Sequence, residues 1–445
     1  MRWRRLLFAV LAAVTAVAGY YLYDETWGRA ADHRAAVARY NAGDFAGATE
    51  LLDRYLAVRP RDAEAHLLAA RAVRRGLVPE LAGEGDERVV GLPPGAGGAR
   101  GAFDDHLAAF ERHGGPAEVA LFERTLWTVQ RGDLTGAEGA LQKVSRDPIP
   151  EAALALEGLA LGYILTFQLP AALDCLTRWL DRGETTRALL WRGRVYERMR
   201  NRDAALVDYR RAVQRDPGDA DGRRALGVLL LETNQYAEAE THFQALADLR
   251  PGDPAARLGA ARSAAGRGDT DRARRSLDEL LADHPDMVRA MVERAKLATD
   301  GEDLLRAERQ LRRALTLAPG ETTALYALAQ CLRRQGRDPD ADAVHAQFVR
   351  AEADLTRVGE LIGQLAERPR DPALRSEIGR LFLANHREQE GLRWFATALE
   401  SDPTHQPTLA ALADHYERAG DRSLAEHFRS RLKPLPDRPT QLSPK

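Results

Sequence analysis

Between Thr186 and Asp219, apolar and small side chains fall at Leu189, Gly193 and Tyr196, then at Ala205, Tyr209 and Ala212, with polar residues between. Steps of three and four put each set on one helix face. The stretch therefore predicts two amphipathic helices packed through those faces. Asp216-Pro217 closes the pair, because proline disfavours helix at the residue before it and suits the start of the next one. The pattern then returns at a fixed step. Ala205, Ala239, Ala273, Ala307 and Ala341 are each 34 residues apart, and Pro217, Pro251, Pro285 and Pro319 keep the same interval. A two-helix unit of this length cannot bury its apolar face alone, so successive units must stack into an all-α solenoid.

Small residues have a mechanical role in such a stack. Gly193 and Ala205 let the two helices approach at the short end of the roughly 8–10 Å interaxial range, and Tyr196 and Tyr209 fill the space around that contact. The whole pattern resembles the tetratricopeptide (TPR) repeat. That family carries an aromatic or aliphatic residue at position 4, Leu at 7, Gly or Ala at 8, Tyr at 11, Gly-Asp or Gly-Asn near 15–16, Ala at 20, an aromatic at 24, Ala at 27 and Pro at 32. Leu226, Gly227, Tyr236, Ala239, Phe243 and Pro251 match it. So do Ala261, Gly268-Asp269, Ala273 and Leu280, then Ala295, Ala307, Leu311 and Pro319, then Leu328, Ala329, Gly336 and Ala341. Earlier units are marked by Tyr40 with Gly43-Asp44-Phe45, by Trp127 with Gly132-Asp133, and by Tyr163 with Ala172 and Trp179. Later ones are marked by Ile378, Gly379, Trp394-Phe395 and Ala398, and by Leu412, Ala413, Tyr416 and Gly420-Asp421. The resemblance covers most of residues 29–433 in about eleven units and implies a right-handed superhelix.

Several positions depart from the family. Arg223 and Arg257 stand where a bulky apolar residue is usual, Gly391 replaces the alanine of position 20, and Phe167 replaces the turn glycine. Units carrying Gly391 and Phe167 are expected to pack less well. Pro319 and Pro403 are 84 residues apart, 16 more than two periods, so extra helix is expected within Val344–Glu367. Residues 76–101 are dense in glycine, with Pro79, Pro93 and Pro94, and keep no apolar period. They predict a long insertion between the first helix of a unit, Ala63–Arg75, and a second helix at Phe103–His113. Residues 434–445 form a proline-rich tail expected to be disordered.

The N-terminus carries a different signal. Arg2, Arg4 and Arg5, in a cytoplasmic segment 1–5, precede an uncharged apolar run over residues 6–23, which Asp24 and Glu25 follow. A run of this length is within the roughly 17–25 residues that span a bilayer as a helix. Arginines before it and acids after it orient the repeats outside the cytoplasm, as a periplasmic array held by one transmembrane helix. The competing expectation is a signal peptide cleaved after Ala16-Val17-Ala18, which would release the repeats as a secreted protein.

Net charge is −2 over 445 residues, so there is no global footprint for nucleic acid. Four lysines among 64 basic residues leave an arginine-rich chain, a composition typical of a bacterial protein from a GC-rich genome. Cys175 and Cys331 lie about five units apart, too far for a disulfide, and are expected as buried free thiols. No phosphate loop, nucleophile elbow, paired-cysteine metal site or haem attachment motif is present. Asp219-Ala220-Asp221-Gly222 resembles part of a calcium loop, but Pro217 and Val228 occupy positions that need acids. His386, His405, His415 and His427 fall on separate helices or turns. These observations exclude the usual catalytic constellations and lead to the expectation of no enzyme activity, no cofactor and no metal.

One pattern points to binding. In the TPR family the inner groove is lined by first-helix positions 2, 5, 9, 12 and 13. The resemblance places Arg187, Arg194, Arg198, Arg224, Arg262, Lys296, Arg333 and Arg380 there, with Arg71 and Arg334. Arginine pairs well with carboxylates, so an acidic peptide or protein partner is the expected ligand. The Lys and Asn positions of the family's chaperone-tail clamp are absent. The expected function is a non-enzymatic protein–protein interaction scaffold of the bacterial cell envelope. The alternatives are an assembly factor for envelope or cytochrome maturation, and an enzyme with its site in the insertion.

Overall fold

The computed structural model describes residues 29–76, 96–130, 133–134, 136–298, 301–368 and 370–432. Its described residues form 22 helices and no strand. They divide into two compact units, one ending at Leu165 and the other beginning at Thr166.

The first unit contains α1 (Arg29–Asn41), α2 (Phe45–Val58), α3 (Ala63–Gly76), α4 (Ala96–Arg112), α5 (Ala117–Val129), α6 (Glu138–Val144) and α7 (Glu151–Leu165). Ala36, Leu52, Tyr55, Ala65 and Ala69 build one core between α1, α2 and α3. Leu67, Ala70, Phe103, Phe110 and Trp127 build the next, between α3, α4 and α5. Here the sequence reading needs correction. The second helix of the interrupted unit starts at Ala96, seven residues before Phe103, so 96–101 belong to α4 and not to an insertion loop. The remainder of the expected insertion, 77–95, lies outside the described residues.

The second unit contains α8 (Leu169–Arg182), α9 (Thr186–Arg198), α10 (Arg202–Arg215), α11 (Ala220–Glu232), α12 (Tyr236–Leu249), α13 (Pro254–Gly266), α14 (Thr270–Asp283) and α15 (Val288–Lys296). It continues with α16 (Gly301–Leu317), α17 (Thr322–Arg334), α18 (Asp338–Glu367), α19 (Pro372–Ala384), α20 (Glu388–Ser401), α21 (Gln406–Arg418) and α22 (Arg422–Ser430). The surplus residues form one continuous helix, the 30-residue α18. Ala205, Ala239, Ala273, Ala307 and Ala341 are all at most 1% exposed. The 34-residue alanines are thus the contact points that the period implies.

In three hairpins the first helix meets the second through a recurring device. A Cβ on Gly193 would overlap the ring of Tyr209, one on Gly227 would lie 2.9 Å from Phe243 Cζ, and one on Gly379 would lie 2.7 Å from Phe395 Cδ1. Each aromatic follows its glycine by 16 residues and is at most 1% exposed. The ring occupies the space where a side chain would otherwise stand. Gly391 acts in the same sense. It lets the Gly379 carbonyl come within 2.9 Å of where its Cβ would be, so the α19–α20 pair packs closer, not more loosely as its sequence suggested.

The turns inside the hairpins share one backbone conformation. Gly43, Gly268, Gly336 and Gly420 have φ between 74° and 87°, and Arg200, Asn234 and His386 occupy the equivalent position with φ of 59–60°; Phe167, just before α8, has φ of 58°. In four of these turns the following residue caps the second helix. Asp44 accepts from the Gly47 N–H, Asn201 from Ala204, Asp269 from Arg272 and Asp421 from Leu424. Asp219 of the apparent calcium loop caps α11 by accepting from the Asp221 N–H.

Phe167 has a further role that explains its presence. Its ring stacks on Trp394, with centroids 4.1 Å apart, and packs against the cluster of Val358, Leu361, Leu365, Leu374 and Ile378. Beside it, the buried Arg375 Nη2 donates to the Thr166 carbonyl at 2.8 Å, and burial pushes the pKa of that guanidinium down to about 10. Residues more than 200 positions apart are joined here, so the second unit closes on itself instead of contacting only sequence neighbours.

Among the described residues, no helix is long and apolar enough to cross a membrane. The expected transmembrane segment 6–23, the cytoplasmic segment 1–5 and the tail 434–445 lie outside those residues. Cys175 and Cys331 are both free and buried.

Candidate partner-binding face

The arginines expected to line an open groove fall into three groups. In the first unit the candidate Arg71 is turned inward, as are its neighbours Arg74 and Arg75. Arg71 Nε donates to Glu123 Oε1 at 2.6 Å, and Arg74 Nε donates to Glu123 Oε2 at 3.0 Å. Glu123 is fully buried. Arg75 forms a fork with Glu157, 3.0 Å to each carboxylate oxygen, and also donates to the Tyr40 hydroxyl. The Glu157 charge and the Tyr40 contacts raise the Arg75 pKa against the opposing effect of burial. These pairs bridge α3 to α5, and α3 to α7 and α1. Removing one partner from such a buried pair costs about 3–5 kcal/mol, so the network belongs to the framework of the unit.

In the second unit most candidates are engaged close to home. Arg187 lies over the Trp191 ring at 5.8 Å and Arg198 over the Phe167 ring at 5.7 Å. Arg224 lies 3.9 Å from Asp221, which also holds Arg250 at 3.1 Å. Glu293 sits between Lys296 at 3.0 Å and Arg262 at 3.6 Å. Arg333 pairs with Asp342 at 3.1 Å, and Arg334 Nη1 donates to the Ala298 carbonyl at 2.6 Å. Arg194 corrects the expectation: at 8% exposure it is buried and not on an open surface. It faces Tyr209, whose hydroxyl donates to Glu197, and its charge is one of the groups acting on that phenol. Arg380 alone of the eight is exposed with no pairing to any described residue.

Sequence reading missed the partners because they lie at no fixed offset, from 3 residues away for Arg224 and Asp221 to 82 for Arg75 and Glu157. Arg192 is an example. It stands at the family's leucine position and forms a fork with the buried Asp208, at 2.7 and 2.8 Å. Arg223 and Arg257, the other departures, reach the Pro217 carbonyl at 2.7 Å and Asp283 at 2.6 Å.

What remains accessible on the first-helix face is partly apolar. Tyr326 stands at position 5 of its unit, is 46% exposed and tilts against Phe348 of α18 with centroids 5.3 Å apart. Val349, next to Phe348 in sequence, is 50% exposed. None of these residues carries a charge, so the arginine pattern does not mark them. Among the described residues, no three histidine, cysteine or acidic side chains are placed to hold a metal together.

Tetratricopeptide-repeat models match residues 33–83, 190–254 and 293–346, and a second such model matches 234–296. These stretches are tetratricopeptide repeats. Several solved structures are similar. A tetratricopeptide repeat protein from Parabacteroides merdae is 22% identical, covering 56% of this chain and 97% of its own at a TM-score of 0.47. The Cut9-Hcn1 hetero-tetramer of APC/C is 15% identical over 96% of this chain and 91% of its own, with a TM-score of 0.34. YrrB, described as a TPR protein with an unusual peptide-binding site, is 17% identical over 46% and 96%, with a TM-score of 0.26. No curated protein matches the chain.

Proposed function

We propose that this chain is a non-enzymatic scaffold that holds a protein or peptide partner on the first-helix face of its tetratricopeptide repeats. The observation that carries the reading is the stack itself. Every 34-residue alanine is buried in a helix contact. The apolar signal of the repeats is thus consumed by stacking, and the first helices are left to present their outer positions to a ligand.

Recognition on that face rests on shape and on Tyr326 more than on charge. A partner carboxylate would have to displace Asp221, Glu293 or Asp342 from arginines that already hold them. Exchanging one exposed ion pair for another changes the free energy little, since such pairs contribute about 0–1 kcal/mol. Of the eight candidate groove cations, Arg380 is the one that pairs with no described residue and is open to an acidic group. Residues 6–23 tether the array to a membrane with the repeats outside the cytoplasm, where they organise an envelope complex. Tethering raises the effective concentration of the array near membrane partners.

The test is a pull-down of the full chain from detergent-solubilised membranes, beside Tyr326→Asp and Arg380→Glu variants. The scaffold reading expects a specific partner that Tyr326→Asp loses and Arg380→Glu weakens less. Recovery of the same partner by all three proteins would remove the assignment of this face. Protease accessibility in intact cells tests the orientation separately.

A further inference from the structure

The 30-residue α18 serves two separate cores. Near its start, Ala341 and Val344 join a cluster with Leu304 of α16 and Leu328 and Leu332 of α17. Near its end, Val358, Leu361 and Leu365 join the cluster with Leu374 and Ile378 of α19 and Trp394 of α20. Over 345–357, between the two, Ala351 is the single buried residue. The helix is a lever packed at both ends and thinly covered in the middle, where bending disturbs the least packing.

Two contacts join the far end of this lever to earlier parts of the second unit. Trp394 stacks on Phe167, and Arg375 donates to the adjoining Thr166 carbonyl. In the turn after α19, the Asn385 carbonyl comes so close to Gly320, in the turn before α17, that no side chain fits at position 320. Asn385 Nδ2 also donates to Asp354 Oδ2, in the thinly covered stretch of α18, at 2.8 Å. The Phe167 ring is shared. Arg198 Cζ lies 5.7 Å from its centroid, so the ring that holds Trp394 also holds the last groove cation of α9.

We infer that α19 and α20 form an internal clasp on the α9 end of the first-helix face, and that a partner reaches Phe167 and Arg198 when this hairpin swings away about the middle of α18. The inference rests on the reading of that face as the binding surface. The clasp shows what it excludes. Trp394 occupies Phe167 with an aromatic ring, so the competing occupant is a partner segment that brings an aromatic side chain to the same place, where stacked rings gain beyond their buried area. Such a segment binds the open form alone, and that difference in affinity is what shifts the hairpin from closed to open. Tyr326 lies outside the clasp and stays available in both forms.

Hydrogen exchange and photo-crosslinking on the full chain test it together, in the wild type, Phe167→Gly and Arg375→Met. Two variants that break the clasp from opposite sides keep the test informative where one of them folds poorly. Exchange in 186–198 and 372–401 should rise about tenfold in both, the change in open fraction that about 1.4 kcal/mol produces, while 220–249 stays as in the wild type. Unchanged exchange at 186–198 in both variants overturns the inference, and so does an equal rise at 220–249. A photo-reactive residue at position 198 should capture the protein that position 326 captures, about tenfold more in the opened variants than in the wild type. Capture from 326 with none from 198 in the variants overturns the clasp and leaves the proposed function standing. An absence of capture from both positions removes the two together.

Discussion

Replacing Phe167 and Arg200 with glycine separates what a turn residue costs from what its side chain contributes. Both residues adopt the left-handed conformation, with φ of 58° and 60°. For a residue with a Cβ that conformation costs roughly 1–2 kcal/mol. Glycine removes the cost but returns roughly 0.5–1 kcal/mol through its freedom in the unfolded chain. Arg200 is exposed, and no described contact depends on its side chain. Arg200→Gly should therefore stabilise its hairpin by about 0.5–1 kcal/mol. Phe167→Gly gains the same backbone term but loses a half-buried ring. Half of the burial value of a phenylalanine is about 1–1.5 kcal/mol, and the stack on Trp394 adds about 0.5–1.5 kcal/mol. The net change is a destabilisation of about 0.5–2.5 kcal/mol, felt in α19 and α20 although the substitution lies more than 200 residues away. Hydrogen exchange read by mass spectrometry on peptides from 372–401 is the assay, because a repeat array unfolds in sections and a single midpoint would blur the effect. If Phe167→Gly protects those peptides as much as the wild type does, the closing contact of the second unit contributes nothing and the reasoning fails.

Further outcomes follow from the same contacts. Gly193→Ala places a methyl in the space of the Tyr209 ring and should destabilise the α9–α10 hairpin by about 1–3 kcal/mol, measurable by urea denaturation; a neutral result would mean that the ring moves freely. The hydrogen bond from Arg124 holds the Glu111 carboxyl below its usual range, and that from Arg210 does the same for Glu238. Groups with depressed folded pKa values stabilise above the unfolded value near 4.3 and lose that contribution as pH falls through the folded value. Thermal stability should therefore drop on acidification below about pH 4.5, and Arg210→Met should flatten that drop. Glu123→Gln removes the charge shared by Arg71 and Arg74 and should cost about 3–5 kcal/mol in the first unit, whereas Asp342→Asn, at an exposed pair, should cost under about 1 kcal/mol.

The stacking was legible in the sequence because it follows a strict period. A side chain needed at every hairpin contact recurs at every unit, so Ala205, Ala239 and their successors could be read without coordinates. The capping aspartates of the Gly-Asp turns and the surplus helix of α18 were legible on the same ground. The candidate face was not. An arginine at a first-helix position signals only that a cation is there, and its carboxylate comes at no fixed offset, from the same helix for Arg224 and from another hairpin for Arg262. Arg71 and Glu123 are 52 residues apart, and His66 and His106 are 40 apart. Phe167 read as a poor turn because its compensation, Trp394, lies in a distant unit. Local pattern reveals contacts that repeat, and contacts made once must be seen.

The binding role of the first-helix face can be tested by installing a photo-crosslinking amino acid at single positions of the full chain in cells. Tyr326 and Arg380 are the sites on that face, and Val207, on the second helix of its hairpin and 55% exposed, is the control. The account predicts that the first two capture the same protein and that Val207 captures none of it. Capture from Val207 alone, or equal capture from all three, would contradict it.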